Sequence, residues 1–485
     1  MTDPARIQPM PTALDSTRSA DALQCASPTR ARRRLIAGGS GLMASLALPG
    51  GARSQSSAPA TSSTAAPQIA PRRAVHFDLS CRVDAVRLDR MTASAFTLFN
   101  QPAVLPAFEP LRQGCRNDVD LYRLVAPLSV PETGEVLTIS GLLAMPVGVS
   151  GPIPVVSWQH GTVLSFDEVP SGLLKLADPS YALSYPADSL ETLFNVQRFA
   201  GRGYAVIAAD YVGKGPFRDG RGEGYAVKGV TVAACLRMLE TGLAAMQSLG
   251  LRAGPLFLSG WSQGALNTEW LHQALRSRDQ RIAGTTVASP FNELFETLRF
   301  WTGVSTYPPP AGQTSYPARP DWISLCLIIL LGSYELHYGL KGLMQAAVAA
   351  PYREFAARFW QTYDMRFDPQ QPFPTGDDLL VAGFFDRFTD DRNSAFLRQI
   401  AQNTATWWRY DAPIRFHIGL ADEALHPTPA RRGLAAGGSL ASEVAVPGGS
   451  HRGNFLASLY GDGATLSGRE NAFEWFETLR RGRPA

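Results

Sequence analysis

Cysteine is scarce, five in 485 residues, and no CxxC pair, HExxH or other ligand spacing occurs. The sequence therefore carries no signal for a zinc or redox centre, and neither a metal nor a cofactor is expected. Charge of one sign is lacking too. The formal charge of +3 comes from the front end. Residues 1–54 hold seven Arg against three Asp, which leaves 38 of the 45 basic and 39 of the 42 acidic residues for the rest of the chain. That remainder is near neutral and gives no support to a nucleic-acid partner. Long apolar runs are missing as well. The stretch Trp322 to Leu331 has ten residues, about half the ~20 that span a bilayer. Histidine is limited to seven positions, which narrows any search for a general base.

What is present is core material. With 45% hydrophobic residues, the chain can bury a large interior, as one large domain or as two to three smaller ones. The front end reads as an export signal over 1–54: Arg30-Ala-Arg-Arg-Arg34, then the Gly- and Ala-rich apolar run Leu35 to Leu48, then small residues through Ala52. The consecutive arginines before Leu35-Ile36 resemble a twin-arginine signal, so a periplasmic or secreted location is expected, with removal near Ala52. Residues 55–71 are Ser, Ala, Thr and Pro, a composition that favours a flexible linker. Residues 72–118 read only as an N-terminal extension packed on the main domain. Cys25 leaves with the signal, Cys81 and Cys115 could pair in an oxidising compartment, and Cys235 and Cys326 sit in apolar helical patterns as buried thiols.

From Val119 the pattern becomes regular. Val119 to Ala126 and Val136 to Ala144 alternate around a Pro131 to Gly134 turn, as a hairpin or meander does. Short apolar strands come next at Pro154 to Trp158, Tyr204 to Ala209, Gly254 to Ser259 and Ile282 to Ala288, separated by helical patterns at Leu190 to Ala200, Val227 to Leu249 and Ala265 to Ala274. This alternation implies an α/β fold, a mainly parallel doubly wound sheet covered on both faces. It stops at Pro290 and resumes at Pro413 to Gly419, with a last strand at Glu443 to Val446 and a terminal helix at Asn471 to Leu479. The expected organisation is a core over 119–289 and 413–485, interrupted by a helical cap or second subdomain over 290–412 that is rich in aromatic residues.

Chemistry is concentrated at Gly260-Trp-Ser-Gln-Gly264, between a strand and a helix. A serine between two glycines at this spacing fits a sharp strand-to-helix turn that pushes the hydroxyl outward, which makes Ser262 the candidate nucleophile. A serine hydroxyl needs a base, and the base needs a carboxylate. Asp422 follows the strand Ile414 to Ile418, and His451 follows the strand that ends at Val446. The oxyanion donors expected are the Gln263 amide and an amide of the loop after Trp158, Gly161 or Thr162, with Thr162 preferred. Glu423 is the alternative acid beside Asp422. Asp210, after its strand, reads as structural, and His426, four residues beyond Asp422, as a surface or loop histidine. His160 reads as holding its loop, while His76, His272, His337 and His417 have weaker cases.

His160-Gly161, Gly260 to Gly264, Gly419 to Asp422 and the His451 loop, in this order, resemble an α/β-hydrolase from about Val119 onward. Ser157 to Thr162 together with Ala209-Asp-Tyr-Val-Gly-Lys-Gly215 resembles the secretory lipase group and related exported bacterial serine esterases. The resemblance implies ester hydrolysis through an acyl-serine intermediate, and the candidate triad together with an aromatic-rich insert placed where it could cover the serine makes hydrophobic esters the expected substrates, as for a lipase or esterase. A serine peptidase or amidase of the same fold is the alternative, and a non-catalytic binding protein the third reading. The partner expected is a small-molecule or lipid ester, with the cap as the surface for any contact with a lipid interface. No nucleic acid and no obligate protein partner is expected.

Overall fold

The computed structural model describes residues 76–101, 105–184, 188–218, 222–366, 372–385, 394–461 and 470–482. The export signal and linker expected over 1–71 lie outside these residues. Among the described residues nine strands form one sheet: β1 (His76–Val83), β2 (Val119–Ser129), β3 (Val136–Pro146), β4 (Ile153–Gln159), β5 (Ala205–Ala209), β6 (Ala253–Trp261), β7 (Gly284–Ala288), β8 (Ile414–Gly419) and β9 (Ala441–Val446). Their order is β1-β2-β3-β5-β4-β6-β7-β8-β9. Pairing is antiparallel from β1 through β5, with Val119 opposite Pro146 and Ser129 opposite Val136 in the hairpin. From β5 through β4 to β9 every pair is parallel. This is the mainly parallel, doubly wound sheet expected from the alternation of short apolar strands and helices.

Central strands are buried on both faces, so they need unbroken apolar runs. β4 (Ile-Pro-Val-Val-Ser-Trp-Gln) and β5 (Ala-Val-Ile-Ala-Ala) are buried at every position. One face is covered by the helices Lys228–Ser248 and Gln263–Arg276, which share a hydrophobic cluster with residues of the insertion. The other is covered by Ala85–Phe99, Leu190–Phe199, His451–Tyr460 and Ala472–Arg480. The chain passes from β4 to β5 on one side and then to β6 on the other. Their carboxyl ends therefore open a crevice at the point where strand order reverses, which is where open α/β sheets bind ligands.

The N-terminal extension has more structure than its sequence announced. β1 forms the sheet edge, and the helix Ala85–Phe99 starts at Asp84, whose side chain accepts from the Arg87 amide, a cap worth about 1 kcal/mol. Its buried stripe Leu88, Met91, Ala95, Phe96 and Phe99 runs at helical spacing onto the sheet. Among the described residues, the stretch between β7 and β8 is mainly helical, with its longest helix at Ile323–Tyr338. That helix is almost wholly buried, so the apolar run is interior from Ile323 to Leu331, with Trp322 ahead of it partly buried. Cys81 and Cys115 are free thiols, not a bridge. The Cys115 thiol is directed at the Gln197 carbonyl and packs where a Cβ on Gly201 would stand, with no disulfide to Cys81 on β1. Cys235 and Cys326 are buried thiols, as their apolar helical patterns implied.

Candidate active site

β6 runs into Ser262, which has φ +58° and ψ −122° and caps the helix Gln263–Arg276. A left-handed φ on a serine is strained, and the turn survives because its neighbours leave it no alternative. A Cβ on Gly260 would lie 2.2 Å from the Gly264 carbonyl oxygen, and a Cβ on Gly264 would lie 2.0 Å from the Gln159 carbonyl oxygen. Both glycines are required because backbone passes against backbone at this point. The Ser262 amide donates to Ala288 on β7, which fixes the turn to the sheet.

Ser262 is 8% exposed and His451 is 4% exposed. His451 Nε2 stands 3.0 Å from Ser262 Oγ, and His451 Nδ1 stands 3.0 and 3.1 Å from the two oxygens of Asp422. With the proton on Nδ1 facing the carboxylate, Nε2 is the acceptor for the serine hydroxyl. Asp422 is fully buried, and its Oδ1 also accepts from the amides of Ala424 and Leu425. His451 is the first residue of the helix His451–Tyr460, whose N-cap Ser450 accepts from the Gly453 amide. Asn454 Nδ2 ties that helix to Ser289 and to the His417 carbonyl, so the histidine is carried on an element fastened to β7 and β8. Trp261 lies tilted beside the imidazole at 4.8 Å and donates from its indole to the His451 carbonyl.

Burial pushes the His451 pKa down, but the charge and hydrogen bond of Asp422, with Glu423 adding to them, outweigh burial and leave it above the ordinary histidine value. Glu423 is not the acid of the site. Its carboxylate accepts from the His451 main-chain amide at 3.0 Å and so steadies the residue from behind. His426 is a loop histidine, as expected, at the N-cap of the short helix Pro427–Ala430, but it does not lie at the surface. It is buried, its Nδ1 accepts from the Thr428 amide, and its ring is boxed by Phe300, Tyr307 and Tyr316, where burial takes its pKa to about 4. Asp210 is held by Ser140 and by the Ser171 amide.

Among the described residues, neither the Gln263 amide nor the Thr162 amide has a protein acceptor, whereas the Gly161 amide donates to Glu191 at 2.7 Å. Of the two loop amides the sequence left open, the one on Thr162 is thus unengaged. The Thr162 hydroxyl shares a 3.0 Å hydrogen bond with Tyr225. His160 is stacked on Tyr211 at 4.1 Å, burial lowers its pKa to about 3, and Tyr211 donates to its carbonyl. Burial lifts Glu191 to about 8 against the lowering effect of the Gly161 amide. Glu191 and Tyr225 had no local sequence signal, because each acts from an element distant in the chain, whereas Trp322 opens the apolar run that the sequence offered either as pocket lining or as core. Trp322 lies 6.0 Å from the His451 ring, Tyr316 donates to the Asp422 carbonyl, and Trp301 donates to Ala424, so the insertion packs directly on the acid and base.

No family model matches the sequence, and a search of curated proteins finds no match. Solved structures do match. A hydrolase candidate from Legionella pneumophila is similar at a TM-score of 0.66 and 15% identity, over 84% of this chain and 99% of that one. The rice cell wall degrading esterase LipA from Xanthomonas oryzae is similar at 0.60 and 17%, over 79% and 94%. Candida antarctica lipase A in its closed state is similar at 0.54 and 15%, over 76% and 79%. At such identities the likeness concerns the fold, and the fold is that of the α/β-hydrolases.

Proposed function

We propose that the chain is an exported serine hydrolase of carboxylic esters, lipase- or esterase-like, acting on hydrophobic esters through an acyl-serine intermediate. The observation that carries this reading is the unbroken contact from Ser262 Oγ through His451 to Asp422, at 3.0 Å on each side of the imidazole. In the first half-reaction His451 Nε2 takes the hydroxyl proton as Ser262 Oγ attacks the ester carbonyl. The amides of Gln263 and Thr162 receive the oxyanion. Nε2 then gives its proton to the departing alcohol, and Asp422 stabilises the imidazolium between these steps. Water, activated by the same nitrogen, releases the acid. Export rests on the arginine-led segment at 30–52, and a preference for apolar acyl or alcohol groups on the aromatic residues that the insertion brings to the triad.

The test is a chain-length series of p-nitrophenyl esters on the mature protein beside Ser262→Ala. Turnover that requires Ser262 and favours long chains supports a lipase, and a preference for acetate or butyrate supports a small-ester esterase. Aminoacyl-nitroanilide turnover exceeding ester turnover, or ester turnover that survives Ser262→Ala, would defeat the proposal.

A further inference from the structure

The loop that carries Thr162 is held by a group the reaction does not consume. Lys214 lies in the segment Asp210-Tyr-Val-Gly-Lys-Gly215, and its side chain is 0% exposed. Its ammonium donates to the carbonyls of Val163 and Ser165, at 3.1 and 3.0 Å, and lies 3.3 Å from the carboxylate of Glu223, which is 4% exposed. The next amide, of Gly215, donates to Phe166 at 2.8 Å. Residues 163–166 are therefore gripped at three carbonyls by two consecutive residues.

The same ammonium sits 3.7 Å from the ring centroid of Tyr363, whose hydroxyl donates to Glu223. Tyr363 belongs to the insertion and terminates its helix Arg353–Thr362 with φ +54°. Glycine is the usual occupant of such a left-handed cap, so a tyrosine accepts local strain in exchange for where its side chain points. Phe166 of the loop packs edge-on against it at 4.7 Å. Tyr211, four residues after Ile207 on β5, is likewise left-handed, at φ +65°, and likewise holds the loop, through the His160 carbonyl.

We propose that Lys214, Glu223 and Tyr363 form a clasp through which the seated cap sets the position of the Thr162 amide, so that Lys214 and Tyr363 are positioning residues for oxyanion stabilisation. The inference rests on the reading of Thr162 as an oxyanion donor. A buried ion pair is seldom a net source of stability, since desolvation offsets the attraction between its members. This pair instead supplies directed bonds: the ammonium has three donors, and they reach two loop carbonyls and one carboxylate. A loop held in this way keeps its amide aimed without reorganisation as charge develops, which is what oxyanion stabilisation requires.

The experiment uses the mature full-length enzyme, the Lys214→Met/Glu223→Gln double variant, which removes both charges of the pair together, and Tyr363→Phe, which keeps the ring over the ammonium. For each, kcat and KM are measured with p-nitrophenyl butyrate, together with the affinity for an aryl trifluoromethyl ketone, whose serine adduct carries the oxyanion. The double variant is expected to lose about 30-fold to 300-fold in kcat and a matching factor in ketone affinity, with KM within about threefold, as for loss of an oxyanion donor. Tyr363→Phe is expected to lose about threefold to tenfold in the same two quantities. Unchanged kcat and ketone affinity, or a rise in KM alone, would overturn the clasp. If the double variant does not fold, Tyr363→Phe decides the question by the same criteria. Wild-type enzyme without Ser262-dependent turnover would bring down the enzymatic reading and the clasp with it, whereas active wild type with unaffected variants brings down the clasp alone.

Discussion

The sheet and the inserted helical region both reach the candidate site, and they act on it by different means. The sheet acts through backbone. Ser262 is presented by a left-handed turn packed between two glycines, and the Ser262 amide is bonded to β7. The insertion acts through side chains: Trp322 over His451, Tyr316 on the Asp422 carbonyl, Trp301 on the Ala424 carbonyl and Tyr363 on Glu223. Backbone constraints allow almost no substitution, whereas side-chain constraints can be loosened one hydrogen bond at a time. The sheet side should therefore fail abruptly when altered, and the insertion side should respond by degrees.

The largest effect expected is at the sheet side itself. Ser262→Ala or His451→Ala should lower kcat for p-nitrophenyl esters by at least about a thousandfold; retention of more than a few per cent of activity would break the contrast. Gly264→Ala comes next. Its methyl group would stand 2.0 Å from the Gln159 carbonyl oxygen, and the loss should reach or exceed the upper end of the about 1–3 kcal/mol typical of overpacking, as read by urea unfolding. Tyr316→Phe, on the insertion side, removes one donor to Asp422 and should lower kcat only about threefold to tenfold, near the about 1 kcal/mol net value of such a bond. His426→Ala should leave kcat within about twofold while lowering the thermal midpoint, because the ring is packed among Phe300, Tyr307 and Tyr316.

Acidity sharpens the same comparison. The base works only when Nε2 is unprotonated, so kcat/KM should rise with pH through the His451 pKa, with a midpoint above the ordinary value near 6.5. Activity is thus lost as pH falls through that midpoint. Asp422→Asn removes the charge that raises it most and leaves burial, the largest influence, which lowers it against the smaller pull of Glu423, so the acid limb of the residual activity should move to lower pH. A limb that stays in place would mean that Asp422 is not the group that tunes His451.

Much of the sheet side was legible in the sequence because its signals are local. An apolar run that is buried on both faces, a serine between glycines, and an acid or a histidine just beyond a strand each require only a few adjacent residues, and β4 through β9 were readable on that basis. The helix Ala85–Phe99 was not, because the polar Thr92 interrupts its buried stripe and its partner surface, Phe194, Trp261 and Phe455, lies far along the chain. The burial of His426 was illegible for the same reason: the rings that box it come from residues 300–316. Lys214 stood in a recognisable segment, yet its role depends on Glu223 and Tyr363, and no spacing rule joins these three positions.

The most direct test of the central claim is titration of the mature enzyme with diethyl p-nitrophenyl phosphate, then peptide mass mapping. The account predicts a burst of one equivalent of p-nitrophenol, loss of ester turnover in step with it, and a diethylphosphoryl group on Ser262 alone. No burst, or a label on any other residue with turnover lost, would contradict it.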